Sequence, residues 1–132
     1  MPDISMDDFR AWLDAYGAAW RDGDAQATIE LFSDDAVYYE NPFKDPMAGL
    51  DAIRQYSEGA GESQRDVRFQ YEAMAVADGK GQAQWQATFV RIPSGNHVEL
   101  DGFLMAEFDD AGKCSVFREW WHRREEGSIE AA

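Results

Sequence analysis

Along residues 5–24, Phe9, Trp12, Leu13, Tyr16 and Trp20 recur three or four positions apart with charged residues between them. That spacing predicts an amphipathic helix. Ser5 and Asp8 stand at capping-box spacing at its start, and Gly23 fits its stop. Asp24 can cap a second helix, "AQATIELF". A short strand follows, "AVYYE", halted by Asn41-Pro42. "GLDAIRQYSEG" then predicts a third helix ended by its glycines.

From Arg65 onward the pattern changes to a period of two. "DVRFQYEAMAVA" reads as a strand, "DGKG" as a hairpin turn and "QAQWQATFVRI" as the returning strand. "PSGN", "HVELDGFLMAEF", "DDAGK" and "CSVFREWWHR" continue the alternation of turn and strand. The predicted order is α-α-β-α-β-β-β-β, helices followed by an antiparallel meander, which is the α+β class. One domain is expected over residues 1–126, with 127–132 a frayed acidic tail.

The strand "QAQWQATFVRI" sorts into two faces. Gln82, Gln84, Gln86 and Thr88 share one, and Ala83, Trp85, Ala87 and Phe89 share the inner one. If "PSGN" closes a hairpin with Ile92 opposite His97, then Phe89 faces Leu100, Ala87 faces Gly102 and Trp85 faces Leu104. Carried through "DDAGK", consistent faces put Leu104 beside Glu119 and Gly102 beside Trp121. Glu119 then points inward, between Phe117 and Trp121.

Ala87 and Gly102 are small, and Trp85, Trp121 and helix-borne aromatics such as Tyr16 surround them. The expectation is a hollow, and a hollow holding one acid is a ligand-site candidate. Burial there disfavours the charged carboxylate and raises its pKa, which suits acid–base chemistry. A structural ion pair is the alternative, since Arg91 and Arg123 share the inner parity. On the outer face the same register sets Phe103 opposite Trp120, Met105 opposite Arg118 and Asp101 opposite His122. Aromatics, Met and Arg on an otherwise polar face point to a homodimer through that face.

Composition narrows the function classes. With 132 residues, 45% hydrophobic and 14% aromatic, the chain can bury one core. Its formal net charge of −14 repels phosphate backbones and anionic lipid, so no nucleic-acid or membrane partner is expected. Cys114 is the sole cysteine, and His97 and His122 are the sole histidines, so neither a disulfide nor a transition-metal site is implied. The start "MPDISMDDFR" lacks signal-peptide character, and the expected compartment is the cytoplasm.

The element order, "AYGAAWRDGD…IELFSDDAVYYENPF…GLDAIRQY" and the closing "FREWWHRRE" resemble the SnoaL-like proteins of the nuclear transport factor two superfamily. That resemblance covers nearly the whole chain. It implies a cone of curved sheet wrapped around the N-terminal helices and enclosing a pocket, with no metal or organic cofactor.

Two relatives bear on residues. In ketosteroid isomerases a helix-one tyrosine and an acid donate to a developing oxyanion while a strand-one aspartate moves the proton. Tyr16 stands at the tyrosine position here, the base position holds Asn41, and the oxyanion acid's position falls on Leu104. Limonene-type epoxide hydrolases use a Y-x-N pair and a last-strand aspartate around a nucleophilic water. Tyr39-Glu40-Asn41 keeps that spacing and Glu119 aligns with the aspartate, but the arginine and second aspartate align with Trp85 and Ala87. Both residue sets are incomplete.

The resulting expectation is a small enzyme of isomerase, cyclase, dehydratase or hydrolase type acting on an apolar, oxygen-bearing molecule. Glu119 is its acid–base, Tyr39 and Asn41 orient water or a carbonyl, and Tyr16, Trp85, Ala87, Gly102, Leu104 and Trp121 line the pocket. Two rivals are a hydrophobic-ligand binding protein of the same fold and a dimerising scaffold.

Overall fold

Ser5 caps the first helix as its spacing predicts. Its Oγ accepts from the Asp8 amide at 2.9 Å, and the Asp8 carboxylate accepts from the Ser5 amide at 3.4 Å. A computed structural model describes residues 4–126, so the tail expected at 127–132 lies outside the described residues. The helices are α1 (Met6–Asp22), α2 (Ala25–Ile29) and α3 (Leu50–Ser63). The strands are β1 (Phe32–Tyr39), β2 (Met47–Ala48), β3 (Gln64–Ala77), β4 (Lys80–Arg91), β5 (His97–Phe108) and β6 (Cys114–Glu126). The class is α+β.

The six strands form one curved, unclosed mixed sheet in the order β2-β1-β6-β5-β4-β3. β1 and β6 run parallel, and the remaining neighbours are antiparallel. Two features exceed the sequence pattern. β2 is a two-residue strand on β1, and α3 runs past Gly59 and Gly61 to Ser63. Gly61 lies beside Gly23 at the end of α1, where a Cβ would meet the Gly23 Cα at an ordinary contact distance of 3.5 Å.

Register decides which side chains meet. β5 and β6 pair as their sequences predict, with Leu104 opposite Glu119, Gly102 opposite Trp121, Phe103 opposite Trp120, Met105 opposite Arg118 and Asp101 opposite His122. β4 and β5 are offset by two from the expected pairing: Phe89 faces Val98, Ala87 faces Leu100 and Trp85 faces Gly102. The cause is the turn. It comprises residues 92–95 rather than 93–96, closed by Arg91 N–H to Asn96 O and Gly95 N–H to Arg91 O, each 2.8 Å, with Gly95 at φ 78°. An offset of two preserves every facing, so the inner and outer sets survive.

α1 lies across one half of the inner face. Trp12 is its anchor, with its ring centroid 5.5 Å from that of Phe108, 5.7 Å from Phe32 and 5.9 Å from Phe117. The Trp12 indole N–H donates to Leu31 O at 3.0 Å, so burial leaves that donor satisfied. Phe9, Leu13, Leu104 and Ala106 are fully buried beside it. This half is solid and fixes α1 against the sheet.

Candidate active site

The parallel pairing of β1 with β6 sets the site. Tyr38 lies opposite Phe117 and Tyr39 opposite Arg118. Phe117 is fully buried, so Tyr38 points inward with it, at 4.6 Å between ring centroids. Tyr39 turns to the outer face, where the Arg118 guanidinium sits 4.1 Å from its ring centroid. The expectation that Tyr39 faces the pocket is therefore corrected.

Asn41 does not line the cavity either. Its side-chain carbonyl accepts from the Phe43 amide at 2.8 Å, a local turn. The residues of β1 and its end that do face the cavity are Tyr38 and Glu40, one position earlier. A one-residue change of parity exchanges the two faces of a strand.

Glu119 is where its sequence position predicts, on the inner face and only 6% exposed. The Tyr38 hydroxyl donates to its Oε2 at 3.2 Å. Tyr16, from α1, lies 2.9 Å from Tyr38, hydroxyl to hydroxyl. With Tyr38's hydrogen directed at Glu119, Tyr16 is the donor in that contact.

The ion-pair alternative does not hold among the described residues. Arg91 Nε and Arg123 Nε lie 3.1 Å and 3.8 Å from carboxylate oxygens of Glu125, not Glu119. Stripped of water and facing no cation, the Glu119 carboxyl is pushed up to about 8 by burial, opposed by the Tyr38 hydrogen bond and reinforced by the Glu40 charge. Burial, aided by the nearby Glu119 charge, also raises Tyr16 and Tyr38 well above the usual phenol range. Both remain hydrogen-bond donors at any ordinary pH.

A cavity of about 450 Å³ opens beside this trio. The sheet contributes Trp85, Phe89, Leu100, Glu119 and Trp121, α1 contributes Tyr16 and Trp20, and α3 roofs it with Ile53, Tyr56, Ser57 and Ala60. Ala87, Gly102 and Leu104 were expected to line it and do not. A Cβ on Gly102 would come within 2.9 Å of Trp85 Cε2 and of Trp121 Cβ, so indole fills the space the glycine leaves. Leu104 and Ala87 are packed into the core. The hollow arises from the short side chains of α3, not from small residues on the sheet.

Tyr38, Glu40, Tyr56, Trp20 and Phe89 join the site unforeseen. Tyr56 lies over the Tyr38 ring at 5.4 Å, and its hydroxyl donates to Glu40 at 3.4 Å. The signal for Tyr56 was its spacing with Ile53 and Ala60, which puts all three on one helix face. A larger depression of about 720 Å³ includes Arg21, Arg68, Glu99 and Arg124, but its charged groups face water and no buried acid borders it.

Among the described residues no helix is long and apolar enough to cross a membrane. Comparison with curated proteins yields no match. Among solved structures the chain is similar to SalBIII, an epoxide hydrolase/cyclase-like enzyme described in pyran ring formation in the polyether salinomycin. Identity is 20% with a TM-score of 0.76, over 86% of this chain and 89% of that one. It is also similar to a Bacillus subtilis protein provisionally described as an isomerase, at 20% identity and a TM-score of 0.79, over 88% and 87% of the two chains. At such identity the likeness establishes a shared fold, and reaction chemistry has to be argued from the site. Residues 9–117 match the SnoaL-like domain. With that match spanning most of its length, the chain belongs to the SnoaL-like family and has the nuclear transport factor two-like fold.

Proposed function

We propose that this chain is a small enzyme that activates an oxygen atom of an apolar substrate by proton donation from Glu119. The observation that carries the reading is a buried carboxyl on a cavity wall with no cation beside it among the described residues. With a pKa near 8, Glu119 is mostly protonated at neutral pH. Tyr38 donates to Oε2, leaving the acid's own proton for a carbonyl, epoxide or hydroxyl oxygen in the cavity. As that proton leaves, the Tyr16–Tyr38 relay stabilises the carboxylate. Glu40, a second carboxyl on the same wall, is placed to accept a proton from water or from carbon. Isomerisation, ring closure and hydration all begin with such a pair of steps.

The test is turnover of a panel of hydrophobic ketones, enones and epoxides by the wild type and by Glu119→Gln. The variant should retain binding and lose roughly a hundredfold or more in rate, the range for a general acid. Undiminished turnover removes Glu119 from the chemistry. Binding without product in the wild type reassigns the cavity to ligand storage.

We also propose a homodimer through the outer sheet face. Support comes from Phe103 beside Trp120, which is 43% exposed, and from Met105 beside Arg118. Trp120→Asp should convert the sedimenting species from dimer to monomer.

A further inference from the structure

The cavity has a second chemical end. Along β6 the inner face carries Glu119, Trp121 and Arg123 in succession, and all three border the cavity. Four strand residues span about 13 Å between Cα atoms. Arg123 therefore marks the lip of the cavity farthest from the acid along that strand, and Arg91, from the end of β4, borders it too. Glu40 is on the opposite side, close enough to Glu119 for its charge to be felt there.

The two arginines are not equivalent. Arg91 engages Glu125 through two hydrogen bonds, Nε to Oε2 at 3.1 Å and Nη2 to Oε1 at 3.2 Å. Asn96 Nδ2 also donates to Glu125 Oε2 at 2.9 Å. That carboxylate is already occupied when Arg123 reaches it, at 3.8 Å and without a hydrogen bond among the described residues. Among the described residues one carboxylate thus serves two guanidiniums, and their lip holds a surplus positive charge on a chain whose formal charge is −14. Arg123 remains 53% exposed, with donors available to a guest.

We propose that the molecule bound in the cavity carries a carboxylate, held at the lip by Arg123 with Arg91 beside it, while its apolar body and neutral oxygen extend toward Glu119. This names the substrate class for the acid site and rests on that reading. The polarity of the cavity imposes the orientation. An anion is repelled from the Glu40 end and attracted at the arginine end, and between them the walls are aromatic and apolar: Trp85, Phe89, Leu100 and Trp121. Guanidinium presents paired donors that match a carboxylate, which a lysine at the same place would not.

The probe set is 6-phenylhexanoate, its neutral amide and 6-phenylhexylamine, followed by quenching of the tryptophan fluorescence that Trp20, Trp85 and Trp121 bring to the cavity. Wild-type protein should bind the carboxylate roughly tenfold more tightly than the amide, as a charge-assisted hydrogen bond provides. Arg123→Gln, at an exposed position, should erase most of that ratio while leaving the melting temperature unchanged. Raising salt should weaken carboxylate binding alone.

Equal affinity for carboxylate and amide, no binding of either, or a ratio untouched by Arg123→Gln would overturn the proposal. Preference for the amine would overturn it by moving recognition to Glu40. Because the readout is binding, these outcomes leave the role of Glu119 standing. Conversely, Glu119→Gln should preserve the carboxylate preference even where it abolishes turnover.

Discussion

The two halves of the inner sheet face share strands and a covering helix but differ in what fills them. Under the first three turns of α1, Phe9, Trp12 and Leu13 meet Phe32, Leu104, Phe108 and Phe117 with nothing left open. Under α3 the cover beyond Ile53 and Tyr56 includes Ser57, Gly59, Ala60 and Ser63, and the sheet's Trp85, Phe89 and Trp121 face a cavity instead. Glu119 sits at the seam. Its neighbour along the strand, Phe117, belongs to the solid half, and Trp121 belongs to the hollow half. The rigid half thus positions an acid that the open half makes available, and burial without filling is what keeps that acid neutral.

The sharpest way to break this contrast is to hollow the solid half. Phe117 is fully buried against Trp12, Tyr16, Phe32 and Tyr38. Phe117→Ala should cost about 3–5 kcal/mol in chemical denaturation. Gly102→Ala comes next, because the new Cβ would lie 2.2 Å from the Trp120 carbonyl oxygen, a backbone atom that cannot swing aside. A loss of about 3 kcal/mol is expected, at the upper end for overpacking. Both should fail as stability variants before they fail as binding variants.

Glu119→Gln should act through pH. The folded-state pKa of Glu119 lies near 8, above the ordinary value of 4.5. Between those values the unfolded chain has released a proton that the folded chain keeps. The contribution of this one group to stability is therefore full below about pH 4.5 and falls as pH rises toward 8, by about 1.4 kcal/mol per pH unit. Glu119→Gln should lose that slope, so the stability difference between the two proteins should shift in the variant's favour as pH rises through the window. The smallest effect belongs to the hollow half. Ala60→Leu adds side chain into empty space, so stability should move by less than about 1 kcal/mol while ligand affinity drops.

The sequence pattern carried the solid half almost completely. The spacing of α1 and the alternation of β4 each had one apolar face and one polar face, so each could be turned only one way, and the facing of β5 and β6 followed from the registers of the two hairpins. β1 offered no such contrast. In "AVYYE" both Ala36–Tyr38 and Val37–Tyr39 are apolar, because the outer side is covered as well, with Tyr39 against Arg118. Periodicity alone therefore could not choose between Tyr38 and Tyr39, and the inward tyrosine emerged from the parallel pairing with β6. The position of the cavity was equally hidden. Small residues at 87 and 102 suggested space on the sheet, but a large side chain from a neighbouring strand can occupy a glycine's place, as Trp85 does. The vacancy lies under α3, which the sequence pattern ends at its glycines, so that Ala60 and Ser63 fall beyond the predicted helix.

The proposed chemistry requires a neutral carboxyl at residue 119 in the folded protein at pH 7. Carbon NMR of selectively labelled glutamate side chains, titrated from pH 4 to 10 with Glu119→Gln for assignment, reads that state directly. An apparent pKa near 8 is expected for Glu119, rising further in Tyr38→Phe as the stabilising hydrogen bond is removed. A titration near 4.5, unmoved by Tyr38→Phe, would contradict it.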